Sequence, residues 1–74
     1  MNKLVKAIKD FGCNVGIINK EFYELSEREQ NKIIKNVRNA PCRIELSNNK
    51  ICDIEFPWVN NELDVTIVDK NYYE

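Results

Sequence analysis

The sequence predicts an α+β fold in which two amphipathic helices pack on one face of a three-stranded antiparallel β-meander, in the order α-α-β-β-β. Three observations carry this expectation. Apolar residues recur at helical spacing over residues 3–11 and again over 27–39. After Pro41 the apolar period changes from 3.6 to 2, as it does in half-buried strands. Two Asn-Asn pairs, Asn48-Asn49 and Asn60-Asn61, separate the alternating runs and suit the positive φ angles of tight turns. With 74 residues, the chain has room for a single domain, residues 1–74.

In the first helix, Leu4, Val5, Ile8 and Phe11 form one stripe, with Lys3, Lys6, Lys9 and Asp10 opposite. Asn2 can cap its start, and Gly12 can supply the left-handed stop. Residues 13–25 are the least regular stretch. Val15, Ile17 and Ile18 suggest a short extended piece, and Asn19 a cap for one turn holding Phe22 and Tyr23. The segment is expected to cross the core and fill it with Ile17, Ile18 and Phe22. Ser26-Glu27-Arg28-Glu29 reads as a capping box, with Glu29 reaching back to the serine. Ile33, Ile34 and Val37 form the apolar face of the helix that follows, and Pro41 stops it.

Cys42, Ile44 and Leu46 define the first strand of the meander. Cys52, Ile54, Phe56 and Trp58 define the second, and Leu63, Val65 and Ile67 the third. Inward residues must face inward residues across a ladder. On that rule, an Asn60-Asn61 turn pairs Ile54 with Ile67 and Phe56 with Val65. A three-residue loop, Asn48 to Lys50, pairs Leu46 with Cys52, Ile44 with Ile54 and Arg43 with Glu55. Glu45 and Asp53 then oppose each other. In this register Cys42 and Cys52 lie about 13 Å apart along the ladder, beyond disulfide reach. The tail, residues 69–74, is expected to fray.

The chemistry of the side chains narrows the function. The chain has no histidine, no C-x-x-C pair and only two glycines, Gly12 and Gly16. Metal ligation by Cys and His, a Ser or Cys triad and a phosphate loop are therefore excluded, and neither catalysis nor a cofactor is expected. Three cysteines, Cys13, Cys42 and Cys52, fit buried thiols in a reducing compartment. The sequence has no apolar run approaching the roughly 20 residues of a membrane span, and Lys3 and Lys6 interrupt the N-terminus, so a cytoplasmic location is expected.

Charge is distributed unevenly. Residues 1–43 carry a net +4 and residues 44–74 a net −5. The expected register gathers Glu45, Asp53, Glu55 and Asp64 on the sheet face away from the helices, with Tyr72 and Tyr73 just beyond the last strand. Arg28, Lys32, Lys35 and Arg38 form a basic stripe on the second helix. Two functional expectations follow. The first is a small non-enzymatic inhibitor, of the kind that phages and mobile elements use in anti-CRISPR or other anti-defence roles. It would dock the acidic sheet, as a nucleic-acid mimic, on a basic host-protein surface. The Asn-, Lys- and Ile-rich composition, usual in AT-rich genomes, agrees with such a source. The alternative is nucleic-acid binding through Arg28, Lys32, Lys35 and Arg38, assisted by Lys3, Lys6 and Lys9. An antitoxin, immunity or regulatory subunit, as a monomer or an edge-strand homodimer, forms a third class.

Overall fold

The computed structural model describes residues 2–56 and 60–73. Helix α1 (Lys3–Asp10) starts where Asn2 Oδ1 accepts from the amides of Leu4 and Val5, at 2.8 and 3.3 Å. It ends at Gly12, whose φ of 92° is open to glycine without strain. There the Gly12 amide donates to Lys9 and the Cys13 amide to Ile8. Helix α2 (Glu27–Asn36) is capped by Ser26, whose Oγ accepts from Glu29 N at 3.2 Å. A 3-10 turn, Val37–Asn39, continues it up to the cis Ala40-Pro41 bond.

The fold class is α+β, but the sheet has four strands and is mixed, which corrects the expected three-stranded antiparallel meander. The strands are β1 (Asn14–Ile18), β2 (Cys42–Leu46), β3 (Lys50–Glu55) and β4 (Glu62–Asp69), in the spatial order β1-β4-β3-β2. The additional strand β1 comes from the irregular stretch after α1 and runs parallel to β4. A bulge between Val15 and Ile18 shifts its register. Ile18 therefore packs on the core while Ile17 is 63% exposed, so Ile17 does not fill the core as expected. The bulge hides the strand from a period-2 reading. Gly16 sits where the Asp64 carboxylate occupies the space of a Cβ. Asn19 precedes a 3-10 turn, Lys20–Glu24, that buries Phe22. Its side chain does not cap that turn but accepts from Ile67 N in β4, at 2.6 Å.

Both antiparallel registers lie two residues from the expected ones. The first loop has three residues, as expected, but they are Ser47 to Asn49, so Leu46 pairs with Lys50, Ile44 with Cys52 and Cys42 with Ile54. Ile54 pairs with Val65 and Cys52 with Ile67, a register that a two-residue Asn60-Asn61 turn cannot set. All four turn asparagines have positive φ, between 52° and 61°. The expected position of Trp58 lies outside the described residues.

A slip of two residues keeps every inward side chain inward. Leu4, Ile8, Ile33 and Val37 from the helices meet Ile44, Cys52, Ile54, Leu63, Val65 and Ile67 from the sheet in one core. Phe56 packs against that core and stacks on Phe11, with ring centroids 6.3 Å apart. The tail is anchored rather than frayed as far as residue 73. It forms a 3-10 turn, Lys70–Tyr73, whose first amide donates to Asn49 O at 2.7 Å.

Candidate functional site

The sheet face away from the helices places the expected acidic residues in four different situations. Asp53 lies directly opposite Arg43, not Glu45, and its carboxylate accepts from Arg43 Nε at 2.9 Å. It is buried, only 4% exposed. Asp64 opposes Glu55 across the ladder, and its carboxylate turns to accept from Ile17 N at 2.8 Å, filling the β1 bulge. Glu45 is exposed, with Lys70 Nζ 3.8 Å away. Glu55 is exposed. Ile51 opposes Glu45 and Val68 on this same face and is buried. The expected array of four open carboxylates is therefore corrected to two, Glu45 and Glu55. The reason is the register slip, which gave Asp53 a cationic partner and Asp64 an amide. Tyr72 is 73% exposed. Tyr73 closes the final 3-10 turn, and its side chain lies outside the described residues.

The helix layer shows the opposite arrangement. Asn2, Lys3 and Leu4 share a depression with Glu27, Gln30 and Asn31, while Ala7 and Phe11 share another with Ile34 and Val37. The two helices thus lie side by side with their N-termini at the same end. Arg28, Lys32, Lys35 and Arg38 are all exposed, and none of them forms an ion pair among the described residues. Spaced four, three and three residues apart, they run about 15 Å along one side of α2 and its 3-10 extension. Lys3 and Lys9 add exposed cations from α1, and Lys6 is paired with Asp10 at 2.8 Å. Only Asp10, Glu27 and Glu29 oppose these seven cations within the helices.

Two contacts that sequence spacing did not reveal fix α2 against the sheet edge. Glu29 Oε2 accepts from Ser47 N at 2.7 Å, beyond the end of β2, instead of returning to Ser26. Lys32 Nζ donates to Glu45 O at 3.2 Å. The Ser26-x-x-Glu29 pattern was the available signal, and it pointed to the wrong partner. These side chains occupy backbone groups that an edge strand otherwise leaves open. Between them lies an open groove of about 940 Å³, edged by Arg28, Lys32 and Lys35.

The observed register brings Cys42 and Cys52 to diagonal positions on one face of the β2–β3 ladder, about 7–8 Å apart rather than 13 Å. All three cysteines are free thiols. Burial, then the neighbouring Asp53 charge and Cys42, push the Cys52 thiol up to about 12, so it stays protonated and a poor nucleophile. Among the described residues, no cluster of three or more His, Cys, Asp or Glu side chains is arranged to hold a metal ion. No helix of the described residues is long and apolar enough to cross a membrane. No protein-family model, curated protein or solved structure matches the chain.

Proposed function

We propose that this chain is a small non-enzymatic binding protein that docks its helix layer on an anionic partner, nucleic acid being the simplest such surface. The observation that carries this reading is the state of the charges. The α2 cations are exposed and without ion pairs among the described residues, whereas Asp53 is buried against Arg43 and the half-buried Asp64 accepts from the Ile17 amide. An exposed cation such as Arg28, Lys35 or Arg38 gives up only a water shell on docking, and Lys32 also one hydrogen bond to Glu45 O, while a buried, paired carboxylate must first break an ion pair that holds the protein together. The acidic sheet on the reverse side makes the molecule dipolar, which orients the helix layer toward a polyanion and speeds encounter.

Titration with heparin and with random-sequence duplex DNA, at low and high salt, tests the reading. Binding should weaken steeply with salt, and Lys32→Glu with Lys35→Glu should remove it. Glu45→Lys with Glu55→Lys should leave it intact or strengthen it. Absence of polyanion binding at low salt would overturn the proposal.

Exposed Glu45 and Glu55, with Tyr72 exposed in the turn after β4, favour a second reading. In it the chain is a phage or mobile-element inhibitor that presents its acidic side to a cationic host protein. That reading gains if the Glu45→Lys, Glu55→Lys variant loses a partner that the lysine variant keeps.

A further inference from the structure

We infer that the apolar groove between α1 and α2, at their C-terminal ends, is a docking site for an acidic peptide segment of a partner protein that inserts a large apolar side chain. This deepens the proposed role of the helix layer and rests on it. The groove measures about 480 Å³, and its walls are Ala7, Phe11, Ile34 and Val37. Phe11 is 40% exposed, a large aromatic left partly open to water at the end of α1. Its ring is held in place by stacking on Phe56 at an interplanar angle of 24°, so it offers a preformed apolar wall.

Charge complementarity selects the occupant. Along the α2 side of the groove, Lys35 and Arg38 are exposed and have no ion pair among the described residues. Along the α1 side, Asp10 is already neutralised by Lys6, 2.8 Å away. The groove therefore combines an apolar floor with one positive rim. A peptide with an apolar anchor and carboxylates a turn apart satisfies both: the anchor fills the groove while the carboxylates meet Lys35 and the Arg38 guanidinium. A phosphate backbone uses only the rim and leaves the floor wet. Base stacking on Phe11 is restricted because Phe56 already takes part of its surface.

Selection from a random-peptide phage library on the folded protein tests this inference. Enriched peptides should combine Asp or Glu with Leu, Ile, Phe or Trp. A synthetic copy of the strongest should lose roughly tenfold or more in affinity to the Lys35→Glu, Arg38→Glu variant and to Phe11→Ala. The charge variant decides if Phe11→Ala unfolds, because both its positions are exposed. The inference fails if no acidic-apolar motif is enriched, or if the peptide binds both variants equally well. It also fails if Phe11→Ala weakens binding of a duplex or single-stranded oligonucleotide as much as it weakens the peptide, or if the groove is already closed by a second copy in a peptide-insensitive dimer. Heparin or duplex binding that still depends on Lys32 and Lys35 would then leave the helix-layer reading standing without the groove. Loss of neither ligand in the Lys32→Glu, Lys35→Glu variant would remove both.

Discussion

The outer face of the sheet and the outer side of α2 both appear in the sequence as runs of like charge, yet the fold treats them differently. On the sheet, each acid faces a neighbour across the ladder. Asp53 meets Arg43, and Asp64 turns from Glu55 to the Ile17 amide. On α2, Arg28, Lys35 and Arg38 are exposed and have no ion pair among the described residues, and Lys32 gives only one hydrogen bond, to Glu45 O. A charge on a strand is thus available to a partner only if its ladder neighbours leave it so, whereas a charge on the far side of a surface helix is available by default. The net +4 and −5 of the two parts of the sequence describe the field of the molecule, not the groups free to bind.

The contrast is open to attack by mutation, and the largest effect should come from the sheet. Asp53→Lys places a second cation against Arg43 in a buried position and should cost about 3–5 kcal/mol in urea unfolding. Lys35→Glu on α2 should stay within about 0.5 kcal/mol. Equal costs for the two would erase the distinction. Gly16→Ala comes next. The new Cβ meets the Asp64 carboxylate and Leu63 O, so the β1 bulge must shift, at about 1–3 kcal/mol by the same measurement. Glu29→Ala should cost about 1 kcal/mol by releasing the Ser47 amide.

The smallest effect is one of pH. The Cys52 thiol, ordinarily near 9.0, is held at about 12 in the fold. A raised value means the protonated thiol is favoured when folded. Its contribution is therefore complete below pH 9 and lost as pH rises toward 12. Alkylation followed by mass spectrometry at pH 8 should accordingly leave Cys52 unmodified until urea unfolds the chain.

How far the sequence could be read follows from which features leave local marks. Asn2 and Ser26 mark helix starts through side-chain oxygens that accept first-turn amides, Gly12 marks an end through its positive φ, and α1 and α2 stand where the helical stripes place them. The paired asparagines likewise adopt the positive φ their type permits. Val15, Ile17 and Ile18 mark the extended piece that β1 forms, but nothing local marks it as a strand of the sheet. Its bulge breaks the alternation, and its partner residues in β4 lie 47 or 48 positions away. Alternation in β2, β3 and β4 fixes which face each residue takes but not its partner, because a slip of two residues preserves every face. Parity could therefore place the core, and it could not place Arg43 opposite Asp53. The basic stripe survived this ambiguity because it depends only on helical spacing, and the acidic array did not because it depends on register.

An amide-resolved NMR titration of the protein with heparin tests the division of surfaces most directly. Perturbations should concentrate on residues 28–38 of α2 and on the exposed side of α1, leaving Arg43, Asp53 to Glu55 and Asp64 unmoved. Shifts centred on those strand residues instead, with α2 silent, would contradict the account.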